Sequence, residues 1–232
     1  MSLFSIYFQM LFDPNGAFAK ALSKKIWTLV VPLSLAIILT ASVNVYYFHN
    51  VDLPWLTDQM TTGLTVEQRE ATVPLLTRDR LLGITLFGVV FLALVINLAR
   101  AFLIWIILKV RGGETQRFMR VFAIVMWSTA PLLLILPAGI LNISLAPEGR
   151  IVGNDVNPVS INQLLFHLPA ASGWGQMLST FSLINLWEIL LIAVGLQFMA
   201  KLKFTQAALI AATPDLIAYG LWSAALLIGS ES

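Results

Sequence analysis

The sequence predicts an all-α fold: a polytopic membrane bundle with five transmembrane helices, in one domain covering residues 1–232. Three observations predict it. Hydrophobic residues make up 58% of the chain and charged residues only 11%, where a soluble domain carries roughly 25%. Five apolar runs reach the roughly 20 residues that cross a bilayer core. Nine of the 14 Lys and Arg residues gather at one set of run ends, the charge asymmetry that orients membrane helices.

The first 25 residues precede the first span. Residues 2–12, "SLFSIYFQMLF", are apolar and aromatic without a basic leader or a small-residue cleavage site, so they are not an ordinary secretory signal. They read as an interfacial segment lying on the membrane. "DPNG" then turns the chain. Asp13 is placed to cap a short helix that starts with Pro14, a favoured first residue, carries Phe18 and Leu22 on one side, and ends near Lys20, Lys24 and Lys25.

The spans fall at about 26–48, 81–108, 121–145, 177–200 and 207–228. The second is longer than a 30 Å core requires and should tilt or project. Lys20, Lys24 and Lys25 precede the first span; Lys109, Arg111, Arg117 and Arg120 join the second to the third; Lys201 and Lys203 join the fourth to the fifth. With five spans all nine share one face. The opposite face holds most of the acids: Asp52, Asp58, Glu67, Glu70, Asp79, Glu148 and Asp155. The expectation is a multi-pass membrane protein with a cytoplasmic N-terminus and its C-terminus on the opposite side of the membrane.

The basic-side connections are short, and the opposite ones, residues 49–80 and 146–176, are long. Within the first, "LTVEQREA" predicts a short helix with Thr65 as cap and Gln68 completing a capping box. Trp55 and Trp174 fit an aromatic belt.

No catalytic motif is present: no Walker loop, no G-x-S-x-G, no H-E-x-x-H. The chain has no cysteine, so thiolate metal sites are excluded. His49 and His167 are weak metal candidates, with Asp52 nearby, and read more simply as interfacial histidines. Pro32, Pro131, Pro137 and Pro214 interrupt spans. Such breaks can build transport sites, but they are also ordinary in membrane helices. Ala207, Ala208, Ala211 and Ala212 form a small-residue face suited to close helix packing.

The most informative residues are ionisable and deep. Arg100 stands inside the second span, roughly 14 Å from Lys109 at the helical rise, with Asn97 three residues earlier on the same face. Glu188, preceded by Asn185 at the same spacing, lies roughly 20 Å from Lys201, and Asp215 roughly 18 Å from Lys203. A charge facing lipid at that depth costs at least about 2.5 kcal/mol. The economical arrangement turns Asn97, Arg100, Asn185, Glu188 and Asp215 inward as one buried polar cluster, Glu188 being the preferred partner of Arg100. The cluster reads either as a pairing that fixes helix register or as a relay.

Three elements in a fixed order carry a family likeness: "LFDPNGAFAKAL" before a span containing Pro32; "GGETQRFMRVFAIVMWSTAPLLL", a glycine-led loop running into a Trp/Pro span; and "AVGLQFMAKLKFTQAAL" before the span with Pro214. In these the chain resembles bacterial members of the Yip1 family. The resemblance implies a five-helix membrane protein without established enzymatic activity. Eukaryotic members are linked to Rab GTPases through a long cytosolic region, which is not seen ahead of the first span here. Some bacterial members are associated with ABC-type exporters and their adaptors. The resulting expectation is a non-enzymatic scaffold or accessory factor for another membrane or periplasmic complex. The competing reading is a small transporter or channel using the buried cluster. Membrane lipids are expected partners and homo-oligomers are left open; no cofactor and no nucleic acid are expected.

Overall fold

The structure is a computed structural model that describes residues 2–112 and 117–229. The glycine-led part of the basic loop at 113–116 lies outside the described residues. The fold is all-α. Among the described residues there is no strand, only an isolated bridge between Ser160 and Ser182.

Five helical spans are long and apolar enough to cross a membrane. The first is a 3-10 turn, Ile26–Leu29, continued by α3, Val30–Asn50. The second is α6, Arg78–Val110, whose 33 residues extend past a bilayer core at 1.5 Å per residue. The third is broken. Helix α7, Phe118–Trp127, gives way to a 3-10 segment, Ala130–Leu134, before α8, Ile135–Leu145. Pro131 sits in the first turn of the 3-10 segment, where its missing N–H would be unpaired in any case. The fourth and fifth spans are α10, Leu183–Ala200, and α11, Phe204–Gly229. Lys201 closes α10 in the left-handed region at φ 52°, and α11 packs back along α10, their mutual contact being the most extensive in the bundle. Ala207 and Ala211 are fully buried on that side, so the backbones approach closely. Lipid tails are as apolar as leucine, and such fit is what holds membrane helices together.

Two sequence expectations need correction. The fourth span begins at Leu183, not near 177, because residues Gly173–Thr180 form a separate short helix, α9, that ends in extended backbone at Phe181. The N-terminal segment does not simply lie on the membrane. Helix α1, Leu3–Gln9, and helix α2, Pro14–Ala21, form a hairpin seated in the bundle. Ile6, Tyr7, Met10, Ala17 and Phe18 are fully buried in the main core beside Ile124, Trp127, Ile192 and Leu196. The Tyr7 hydroxyl donates to the Thr129 carbonyl at 2.7 Å, in the broken middle of the third span, where the same carbonyl also accepts from the Leu132 N–H at 3.0 Å. Gly195 makes the docking possible: a Cβ there would lie 2.5 Å from Ile124 Cγ2 and 3.0 Å from the Phe18 ring. Phe4, Phe8 and Phe12 project from the other side of the hairpin, each at least half exposed.

The expected local signals are present. Asp13 caps α2, accepting from the Gly16 N–H at 3.0 Å. Thr65 and Gln68 form the capping box of α5, Val66–Thr72.

Candidate functional site

Arg100 comes from α6, Glu188 from α10 and Asp215 from α11, and the three meet in the bundle. Arg100 Nη1 donates to Glu188 Oε2 at 3.2 Å, and Nη2 donates to Asp215 Oδ1 at 2.7 Å. The side chains are 8%, 7% and 14% exposed. One fork-shaped guanidinium therefore spans two carboxylates, a geometry that an ammonium group could not offer in the same way. Asp215 follows Pro214, buried in the same helix. Asp215 Oδ2 is buried and has no hydrogen-bond partner among the described residues. One cation facing two acids is an arrangement that can hold three helices in register, and equally one that can exchange a proton.

The two asparagines do not join this bridge. Asn97 donates to the Ala93 carbonyl of its own helix at 2.7 Å. Asn185 occupies the third position of α10 and accepts from the Ser182 N–H at 2.9 Å and its hydroxyl at 2.7 Å. The later start of α10 turns Asn185 from a mid-span residue into part of a helix cap. His49 and His167 are exposed, and Asp52 caps α4, Leu53–Met60, instead of facing a metal. Among the described residues no three His, Cys, Asp or Glu side chains are grouped to hold a metal ion.

The face opposite the basic ends carries a feature that spacing alone did not indicate. The two long connections are stitched together. The Asp52 N–H donates to the Gly149 carbonyl at 3.1 Å, Tyr47 donates to the Ile151 carbonyl at 3.0 Å, and Arg150 Nε faces Asp52 Oδ2 at 3.5 Å. Gly149 has φ +69°, and a Cβ there would fall 2.3 Å from the Asn50 carbonyl oxygen, so only glycine permits this approach. The joined loops, with α6, α9 and α11, enclose an open crevice of about 1070 Å³ lined by Trp55, Gln59, Met60, Asn154, Gln176 and Trp222 among others. Asp155 also lines it. Burial raises the Asp155 carboxyl above its ordinary range, with a Gln163 hydrogen bond opposing the shift.

The fold and its buried ion bridge define a polytopic α-helical membrane protein. The family model for the Yip1 domain matches residues 8–227, nearly the whole chain, and the protein belongs to the Yip1 family. That match takes in the N-terminal hairpin from residue 8 onward, the first four spans and the fifth as far as residue 227. Comparison with curated proteins and with solved structures gives no match.

Proposed function

We propose that this protein is a non-enzymatic scaffold or accessory factor of the bacterial inner membrane, with a cytoplasmic N-terminus, a periplasmic C-terminus and a partner-binding face on the periplasmic side. The observation that carries this reading is the crevice formed by the two stitched loops. It is large, open, and lined by Trp55, Met60 and Trp222 together with amide side chains, the mixture of aromatic anchors and adaptable polar groups found at binding surfaces. The partner is another membrane or periplasmic complex. The family likeness favours an ABC-type exporter with its adaptor.

Replacing residues 56–62 or 150–156 with a short Gly/Ser linker tests this. Each replacement should abolish recovery of the partner from crosslinked native membranes while the spans still insert. Recovery unchanged by both replacements moves the contact to another face.

A second reading, a small transporter, is favoured by one observation: the unpaired Asp215 Oδ2 beside the bridge. The protein reconstituted alone in vesicles separates the two readings. A scaffold leaves proton and solute gradients intact, whereas a transporter dissipates them, and Asp215→Asn stops it.

A further inference from the structure

The end of the bundle that bears the basic residues holds a second cavity, of about 420 Å³, between the end of α2, the 3-10 turn that opens the first span and the start of α7. Lys24 and Lys25 approach it from one side and Arg117 and Arg120 from the other. Among the described residues, none of the four has an ion-pair partner and no carboxylate lines the cavity. Apart from Thr28, its remaining wall is apolar, including the buried Leu29 and the half-buried Phe118. Four like charges around one small space repel one another, and a bound anion removes that repulsion. The cavity opens where span ends meet the membrane surface, so an anion with an attached apolar body satisfies both parts of the lining.

We propose that this cavity binds the phosphate head group of an anionic glycerophospholipid from the surrounding leaflet, with Lys24, Lys25, Arg117 and Arg120 on the phosphate and the upper acyl chains against Leu29 and Phe118. Basic pockets between membrane helices are suited to such head groups. The site depends neither on the scaffold reading nor on which way the protein faces, since it needs only to lie at a membrane surface. It has a structural consequence. A lipid held between α2 and α7 ties the N-terminal hairpin to the third span, adding to the Tyr7 and Phe18 contacts deeper in the bundle.

The test uses the full chain purified in a neutral detergent, with phosphatidylglycerol as the probe, phosphatidylcholine as the uncharged control and inorganic phosphate as the soluble one. Native mass spectrometry should show phosphatidylglycerol retained over phosphatidylcholine, and phosphatidylglycerol alone should raise the unfolding temperature. The variant K24Q/K25Q/R117Q/R120Q should lower retention roughly tenfold or more, each basic group near a lipid surface contributing measurably. The variant K109Q/R111Q/K201Q/K203Q, which removes as many charges from the same end, should retain lipid as before. Because the first variant could lose lipid by disturbing the hairpin, a photoactivatable phosphatidylglycerol is also applied to the unmodified protein, and its adducts should map to residues 21–29 and 117–123. Equal loss in both variants, adducts spread over all basic ends, or inorganic phosphate stabilising as well as the lipid would each overturn the proposal.

Discussion

Arg100 and Asp215 stand 2.7 Å apart, on helices joined to each other neither in sequence nor by a shared loop. With Glu188 at 3.2 Å on the other arm of the same guanidinium, this bridge links the second, fourth and fifth spans. Removing one member of a buried ion pair leaves an uncompensated charge, which costs about 3–5 kcal/mol in soluble proteins. Membrane interiors temper such losses because the unfolded helices also find partners. Arg100→Leu should therefore destabilise by about 2 kcal/mol or more, and more than Glu188→Gln, since it strands both acids. The variant R100L/E188L/D215L should recover much of the loss. Unfolding in mixed micelles measures all three. A triple variant no more stable than Arg100→Leu would mean that the bridge is not what Arg100 contributes.

The N-terminal hairpin depends on the absence of a side chain at Gly195. Gly195→Val drives a branched carbon into Ile124 and Phe18, and overpacking of this kind costs typically about 1–3 kcal/mol. The prediction is loss of the hairpin from the bundle, read as protease cleavage within residues 10–22 while the five spans remain intact. Tyr7→Phe, which removes the hydroxyl's contacts with the Thr129 carbonyl and hydroxyl, should loosen the same segment more weakly, by about 0.5–1.5 kcal/mol.

Acid should act on two loop carboxylates with opposite sign. The Gly16 N–H and then the Gln9 side chain hold the Asp13 carboxyl below its ordinary 3.8. Its contribution to the α2 cap is complete above about pH 4 and is lost as pH falls through the lowered value. Asp155 is shifted upward by burial, so its ionised form opposes folding and acid relieves that. The hydrogen-exchange protection of Gly16 and Ala17, taken relative to the intrinsic rate at each pH, should fall below pH 4, and Asp13→Ala should show the low protection at every pH. Asp155→Asn should stabilise the stitched loops at pH 7 and have little effect at pH 3. Matching pH responses at the two sites would contradict these assignments.

Much of this was legible in the sequence. The five spans follow from the length of the apolar runs, and the meeting of Arg100, Glu188 and Asp215 follows from the cost of exposing deep charges to lipid. The asparagines depart from the expected cluster because an amide has cheaper local choices: Asn97 reaches its own helix one turn back, and Asn185 caps a helix whose start no apolar pattern marks. The hairpin resembles a surface-lying segment in sequence because α1 is apolar on two sides, Ile6 and Tyr7 facing the core and Phe4 and Phe8 facing away. Hydropathy does not distinguish a side chain meant for protein from one meant for lipid. Both cavities lie between segments distant in sequence. Lys24, Lys25, Arg117 and Arg120 were visible only as an orientation signal.

Orientation itself is testable with reporters. Fusions after Lys25 and after Lys203 should report the cytoplasm, and an insertion at Gly63 and a C-terminal fusion should report the periplasm. A cytoplasmic C-terminus would reverse the assignment of the crevice to the periplasmic face.

The most direct test of the scaffold account is site-specific photocrosslinking from the crevice in native membranes. A photoreactive residue placed at Gln59, on the first stitched loop, and separately at Asn154, on the second, should give the same single adduct. That adduct should disappear when Trp55 is replaced by Ala, while the same probe at Phe87 on the far side of α6 should not give it. Adducts from Phe87 and none from Gln59 or Asn154 would contradict the account and place the partner within the bilayer.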